Sequence, residues 1–218
     1  MRALIIPLAL VSLAVQAQTA PLNDTGVTQC LSGETLVTCT DVNTGDAAPE
    51  PRQDARFGRD AAAGKSQITK TGGGSAGFDF TPLDSAGNTT TLGGHACVHD
   101  NVTNLTWEVK TPANMNTTYT WANAAAYAAT VNGTGLCGSQ APWRVPTRRE
   151  LFSIVHYGTS VPAIDTNYFP NTRSYWYWTS DIYAPLPGNA HVVFFDYGST
   201  SAYELTDDKY VRLVRSGQ

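Results

Sequence analysis

The segment 141–157, APWRVPTRRELFSIVHY, constrains the fold more than any other part of the chain. Pro146 keeps the backbone extended and disfavours helix at the residue before it. Thr147 then suits the N-cap of a helix, and Glu150, three residues later, completes a capping box. The apolar face of that helix carries Leu151, Ile154 and Val155. We therefore predict a capped helix beside a buried Trp143, as the nucleus of one folded domain.

Several residues in and around this segment are expected to have structural roles. Arg144 is expected to pair with a carboxylate such as Asp165 or to bond loop carbonyls. Indole rings that lie beside apolar elements are usually buried, so we expect the same of the tryptophans. The residues with expected structural roles are Trp107, Trp143, Arg144, Thr147, Glu150, Trp176 and Trp178.

The first twenty residues have the pattern of an export signal. Arg2 is followed by an apolar run over 3–15 and by small residues at Ala17 and Ala20. Such a run is typical of a secretory signal peptide and is too short to span a bilayer. We assign residues 1–17 to the signal, with cleavage after Ala20 as the alternative. No later stretch is long and apolar enough for a membrane span, so we predict an exported protein: periplasmic, on the outer surface or secreted.

Four cysteines indicate disulfides in such an exported chain. Three pairings are possible, and proximity in sequence favours Cys30–Cys39 together with Cys97–Cys137. A metal site is not expected, because no CxxC motif occurs and the four histidines do not have ligand spacing.

The composition argues against nucleic-acid binding and against common catalytic chemistries. The chain has 14 Lys and Arg against 18 Asp and Glu, and its basic residues form no run. Nucleic acid is therefore not an expected partner. No GxSxG elbow occurs, and cysteines used in bridges leave no thiol as a nucleophile. We predict a protein that is not an enzyme, with no catalytic residue and no cofactor.

The composition and hydrophobic pattern of the sequence change near residue 96. Residues 18–95 are rich in Gly, Ser, Thr, Asp and Pro, and we interpret them as an irregular N-terminal arm. The sequence FDF at 78–80 alternates like an edge strand, so we expect the arm to pack on the domain, with the glycines at 72–74 as a flexible joint. Residues 96–218 combine a helix over 121–131, the capped helix and a late run of strands. This order predicts an α+β domain with two helices and an antiparallel sheet.

The sequence YWYWTS begins at Tyr175 and predicts a strand with two unlike faces. We expect its two tryptophans to point inward, because the sheet needs a core. Tyr175 and Tyr177 would then point outward, beside the loop over 181–189. Flat aromatic rings near amide and imidazole groups suit sugar stacking or protein contacts, although tyrosines that only support the sheet are an equal alternative. The predicted ligand-binding residues are Tyr175, Tyr177, Tyr183, Asn189 and His191.

The residues from Cys97 to Gln218 resemble the Lcl C-terminal domain family. The segments that carry the resemblance are CVHDNVTNLTWEVK, GLCGSQAPWRVPTRRELFSIVHYG, AIDTNYFPNT, YWYWTS and YVRLVRSGQ, in this order. The resemblance implies a C-type-lectin-like fold, also seen in formylglycine-generating-enzyme relatives, in an exported bacterial protein. A bridge between Cys97 and Cys137 agrees with the habit of the family.

The chain also departs from the family. One relative is a collagen-like adhesin that binds sulfated polysaccharides as a trimer, whereas this chain has no Gly-X-Y tract and a net charge of −4. Neither a trimer nor a sulfated ligand is therefore expected. His156 stands where relatives more often have Asp. The tripeptides with which calcium-dependent lectins hold sugars, EPN or QPD with WND, do not occur.

We therefore expect a secreted or envelope-exposed, non-enzymatic recognition module that binds a glycan or an envelope protein through its late loops. The alternative is a structural component that assembles with itself or with a pilus-like partner. An enzyme of unknown reaction is the third hypothesis.

Overall fold

The computed structural model describes residues 23–32, 34–39, 53–138 and 141–217. The predicted signal peptide lies outside these ranges. Helices and antiparallel strands both occur, which confirms the predicted α+β class. The helices are α1 (Gly58–Gly64), α2 (Trp121–Asn132) and α3 (Arg148–Phe152), and a 3-10 turn covers Asp54–Arg56. The strands are β1 (Gln29–Ser32), β2 (Thr35–Thr38), β3 (Phe80–Leu83), β4 (Cys97–Asp100), β5 (Leu105–Glu108), β6 (Trp176–Ile182), β7 (Asn189–Phe194), β8 (Ser199–Glu204) and β9 (Val214–Ser216).

The described strands form two larger antiparallel sheets and one hairpin. The first sheet has the order β3–β4–β5–β9, the second has the order β6–β7–β8, and β1 pairs with β2. Trp107 of β5 lies opposite Val214 of β9, so the last strand returns to the middle of the chain. This arrangement is compatible with the C-type-lectin-like fold that the resemblance implies.

The first sheet crosses the predicted boundary between arm and domain. β3 pairs with β4 along its length, with Phe80 opposite Asp100, and forms one edge of the sheet as the FDF pattern predicts. Phe78 and Phe80 are each 1% exposed and belong to the core. Gly73 exchanges two backbone hydrogen bonds with Phe80, of 2.9 and 2.6 Å. The prediction of a flexible joint at 72–74 is therefore wrong, because these glycines are held against the sheet.

The N-capping predictions are confirmed at both helices of the domain. Thr120 accepts a hydrogen bond from the backbone of Asn123 at α2, and Thr147 and Glu150 form the reciprocal capping box at α3. α3 ends at Phe152, before the predicted apolar face is complete. There the Ser153 hydroxyl donates to the Glu150 carbonyl at 2.7 Å, a bond that competes with helix continuation.

Arg144 joins the same capping box. Its guanidinium donates to both carboxylate oxygens of Glu150, at 2.7 and 2.6 Å. Burial alone would raise the pKa of Glu150, but hydrogen bonds from Arg144 and the Thr147 N–H together hold it below its usual value. The prediction that Arg144 pairs with a carboxylate is confirmed, but Asp165 is not that carboxylate, since it accepts from the backbone and hydroxyl of Ser75 at 3.0 and 2.6 Å.

Two apolar clusters fill the interior, and they bury Trp107, Trp143 and Trp178 as predicted. Trp107 lies in the first cluster and is 0% exposed, while Trp143 and Trp178 lie in the second and are 2% and 0% exposed. The first cluster packs around α3, β5 and β7. It contains Phe78, Phe80, Val98, Trp107, Leu151, Ile154, Val155, Ile164, Phe169, Tyr177, Val193, Phe195 and Val214, among others. The second includes Leu83, Cys97, Ala124, Ala128, Cys137, Trp143, Trp178, Val192, Val211 and Leu213.

A buried ionic network joins β5 to the C-terminal segment. Glu108, 2% exposed, accepts from the Leu213 N–H at 3.0 Å, from the Lys110 ammonium at 2.9 Å and from the Tyr127 hydroxyl. Arg212, 0% exposed, donates to the Glu108 carbonyl at 2.6 Å. Burial lowers the pKa of Lys110, although the Glu108 carboxylate acts in the opposite direction.

Residues 23–28, which we call the N-terminal strap, pack over His156. The Thr25 carbonyl accepts from the Tyr157 N–H at 2.8 Å. Gly26 has φ of +81°, and a Cβ there would lie 2.5 Å from His156 Nδ1, so glycine is required. The same Nδ1 accepts from the Gly158 N–H at 2.9 Å.

Both predicted disulfides are present, and they should contribute unequally to stability. Cys30–Cys39 closes a separation of 9 residues, and Cys97–Cys137 closes one of 40. In the chain-entropy relation these loops correspond to about 3 and about 4 kcal/mol. The double variant Cys97→Ala/Cys137→Ala should therefore lose more free energy of unfolding than Cys30→Ala/Cys39→Ala, as measured by urea denaturation. A larger loss for the shorter loop would contradict this.

His156 should make stability depend on pH. Burial lowers its pKa against the opposing charges of Asp165 and Asp60, so the unfolded chain takes up this proton first. The stability due to neutral His156 is present above the unfolded pKa of about 6.5 and is lost as the pH falls through the folded pKa. His156→Asn keeps an acceptor near Nδ1 without titrating. It should reduce the loss of unfolding free energy on acidification, and an unchanged pH profile would refute the assignment.

Candidate ligand-binding surface

The aromatic side chains of β6 are not distributed between a buried face and an exposed face as the sequence predicted. Tyr177 is 1% exposed, so the prediction that it points outward is wrong. Its ring packs on Phe195 and Tyr210 at centroid distances of 5.1 and 5.4 Å, and its hydroxyl accepts from the Arg173 N–H at 2.8 Å. Trp178 packs into the second cluster. Both faces of the sheet are therefore covered at this point, and alternation does not separate core from solvent.

Trp176 is only partly buried, although it was expected in the core. Its ring stacks on Phe194 with centroids 4.2 Å apart and planes 22° apart. The register places these two residues directly opposite each other, which explains the contact. Tyr203 approaches the same indole ring at 5.2 Å. Part of the Trp176 side chain remains accessible.

These rings belong to a row that crosses the sheet, which we call the aromatic ladder (Tyr197, Phe194, Trp176 and Tyr203). Tyr197 meets Phe194 edge-on at 5.0 Å and is 60% exposed. At the other end, Lys209 Nζ lies 4.1 Å from the centre of the Tyr203 ring. Tyr175, which is 49% exposed, lies beside the row at 6.3 Å from Phe194. The ladder is thus a continuous, partly exposed aromatic surface built on β6, β7, β8 and the β7–β8 turn.

The charge at the end of the ladder is already neutralised. Lys209 forms an ion pair with Asp207 at 3.0 Å, and its own side chain is 9% exposed. The ladder therefore offers ring faces and phenolic hydroxyl groups, which suit binding better than proton transfer.

Three other predicted residues lie at the far end of the β6–β7 hairpin. The Tyr183 ring meets the His191 ring edge-on at 5.2 Å, and the Tyr183 N–H donates to the Asn189 carbonyl at 2.9 Å. On β7, His191 and Asn189 alternate with Ala190 and Val192, so they face away from the ladder. The five predicted residues therefore do not form one site.

Sequence reasoning missed most of the ladder. Phe194, Tyr197 and Tyr203 are not among the predicted ligand-binding residues. Their common position depends on the pairing of β6, β7 and β8, which the sequence does not state. One sequence signal could have found Tyr203. On one face of β8, the small side chains of Ser199 and Ser201 are followed by the aromatic ring of Tyr203.

A separate cavity of about 460 Å³ lies between α3, the strap and the start of β8. Arg148 and Arg149 lie exposed at its rim, and within the described ranges neither guanidinium forms an ion pair. Its lining residues are Asn23, Asp24, Thr25, Arg148, Arg149, Phe152, Ser153, Val155, Tyr157 and Thr200.

The described residues contain one carboxylate cluster that could be considered for a metal. Oxygens of Asp24, Asp54 and Asp60 lie within 4.8 Å of one another. Asp60, 2% exposed, accepts from the N–H groups of Gly26 and Gly77 at 2.7 and 2.6 Å. Burial raises the pKa of Asp60, and the Asp24 charge adds to this rise. These hydrogen bonds fasten the strap, which gives the cluster a structural role.

Comparison with known proteins places most of this architecture in one family. The family model described as the Lcl C-terminal domain matches residues 96–215, which include the ladder and the Cys97–Cys137 bridge. No match to a curated protein was found. Among the described helices, none combines the length and apolar character of a transmembrane segment.

The contrasting environments of Tyr175 and Tyr177 give a direct test of the corrected orientation. Tyr177→Phe should lower the free energy of unfolding by about 1 kcal/mol, because the partly buried Arg173 N–H loses its acceptor. Tyr175→Phe is the matched control and should stay within about 0.5 kcal/mol of the native protein. Urea denaturation measures both, and equal effects would place the two hydroxyls in similar surroundings.

Proposed function

Because the chain belongs to the Lcl C-terminal domain family, we propose that it is an exported, non-enzymatic recognition module that binds a glycan through the aromatic ladder. The observation that carries this proposal is the unbroken row of four partly exposed rings, three on paired strands and Tyr197 in the turn that joins β7 to β8. This differs from the late loops favoured by the sequence, since of those residues only Tyr175 lies beside the row.

The geometry of the rings supports a sugar ligand. Pyranose rings have apolar C–H faces that pack on aromatic rings, while their hydroxyl groups need polar partners at the edges. Stacking on Phe194 fixes the indole of Trp176 before any ligand arrives, so binding costs little side-chain entropy. The hydroxyl groups of Tyr197 and Tyr203 lie within the same row and can serve as polar partners.

The electrostatics support a neutral glycan. The chain has a net charge of −4, and Lys209, the cation that contacts Tyr203 at the ladder, is paired with Asp207. A polyanion would meet a weak attraction at this surface. Two disulfides support residence in an oxidising compartment, where neutral polysaccharides and envelope proteins would be accessible.

A neutral-glycan array followed by calorimetry of the hits tests this proposal. Tyr197→Ala and Trp176→Ala should each weaken binding about tenfold or more, corresponding to at least about 1.4 kcal/mol. Tyr183→Ala is the matched control, since it removes a partly exposed tyrosine on the other side of the sheet, and it should leave the affinity unchanged.

The outcomes separate the alternatives. If Tyr183→Ala weakens binding while Tyr197→Ala does not, the ligand lies at the hairpin and the ladder proposal is wrong. If the folded protein binds no glycan but retains an envelope protein in a pull-down, and Tyr197→Ala abolishes that, the ladder recognises protein instead.

A further inference from the structure

Strand β8 is an unprotected edge of the second sheet. Among the strands that the structure describes, β8 pairs with β7 alone. Its sequence, STSAYE, contains neither proline nor lysine, the residues that commonly protect such edges. Thr200, Ser201 and Glu204 are exposed. A six-residue edge of this kind can accept another strand.

The register identifies the backbone groups that face outward. Asn189 lies opposite Glu204, so Gly188 lies opposite Leu205, and the Leu205 N–H donates to the Gly188 carbonyl at 3.0 Å. Because bonded pairs alternate in an antiparallel ladder, every second residue before Leu205 also bonds inward to β7. The residues between them direct their N–H and C=O groups to the free edge: Thr200, Ala202 and Glu204.

These outward groups are almost entirely unused. Within the described chain, the Glu204 carbonyl accepts from the Asp207 N–H at 3.0 Å. No backbone hydrogen bond outside the β7–β8 ladder engages Thr200 or Ala202 among the described residues. A carbonyl oxygen has two lone pairs, so Glu204 can accept a second bond.

We propose that a second copy of this chain pairs along β8, antiparallel, about a two-fold axis at Ala202. The outward backbone groups of two β8 strands can bond each other only in a register that places even-numbered residues opposite even-numbered residues. Placing Thr200 opposite Glu204 and Ala202 opposite itself engages every outward group, and gives three residue pairs with two hydrogen bonds each. Shorter overlaps leave some of these groups unpaired. The two-fold axis makes the contact self-complementary and closed.

The charges agree with this register. Opposing residues of an antiparallel pair share one face of the sheet, so Glu204 of the second copy comes beside Thr200. Thr200 lines the cavity at whose rim Arg148 and Arg149 form no ion pair with any described residue. The exposed Glu204 carboxylate therefore approaches these two guanidinium groups, although Asp24 lines the same cavity, and symmetry repeats this contact.

The same register aligns the two binding surfaces. Tyr203 of one copy lies opposite Ser201 of the other, on the face that carries the ladder. The two ladders then form one longer row across a six-stranded sheet. The dimer itself does not depend on glycan binding, because it rests on backbone pairing and charge.

Sedimentation velocity over a concentration series tests the proposal, with monomer and dimer as the two states. Ala202→Pro removes the outward N–H at the two-fold axis, and an edge position with its N–H in solvent tolerates proline. This variant should be monomeric, whereas Ala202→Ser, the matched control, should dimerise as the native protein does. Glu204→Lys and the pair Arg148→Glu/Arg149→Glu should each weaken the dimer at least tenfold. Combining all three changes should restore it.

Hydrogen exchange gives a readout that does not require any variant. The amides of Thr200, Ala202 and Glu204 should become protected as the concentration rises, while those of Ser201 and Tyr203 should be protected throughout. A native protein that stays monomeric overturns the proposal. So does a dimer that survives Ala202→Pro, or one in which the three outward amides exchange freely.

Discussion

The structure depends on one buried carboxylate, that of Glu108, which fixes the end of the chain to its middle. Its oxygens bond Leu213 N–H, Lys110 and Tyr127, so β5, the C-terminal segment and α2 meet at one group. Arg212 completes the network from the next position. Removing one partner of a buried ionic group typically costs about 3–5 kcal/mol, since the other charge is left without compensation. The two sheets therefore hold their relative position through a polar contact as well as through apolar packing.

This constraint also explains why the β6 edge of the second sheet is not free. The segment 209–213 is held at Glu108 and pairs with β6 through Tyr210, whose backbone bonds Trp176 and Trp178 at 3.0 and 2.9 Å. α3 packs on the face of the sheet that carries Tyr177, and α2 packs on the face that carries Trp178. The rings near Trp176 and the free edge of β8 lie outside these contacts. The exposed aromatic surface is thus part of what remains after the C-terminal segment and the two helices are placed.

Features that depend on residues close together in the chain could be predicted from the sequence, whereas the pairing of strands could not. The capping box at Thr147 and Glu150, both disulfides and the burial of Trp107 depend on short-range signals or on cysteine arithmetic, and the sequence predicted them. The prediction that Tyr177 points outward was wrong. Alternation in a strand shows that its side chains point to two faces, but it does not show that one of these faces is exposed to solvent. The Glu108 network and the ladder depend on contacts between residues that are distant in sequence. No single-sequence pattern reports which strands become neighbours.

The small residues of β8 connect the two surfaces that this chain leaves open. Ser199 lies opposite Phe194 and Ser201 lies opposite Val192, so both serines share the face of the sheet that carries Trp176 and Tyr203. Their short side chains cover less of that face than large side chains would. The same small residues leave the edge flat and without steric protection. The strand order makes β8 an edge, and its small side chains leave both that edge and the neighbouring aromatic face open.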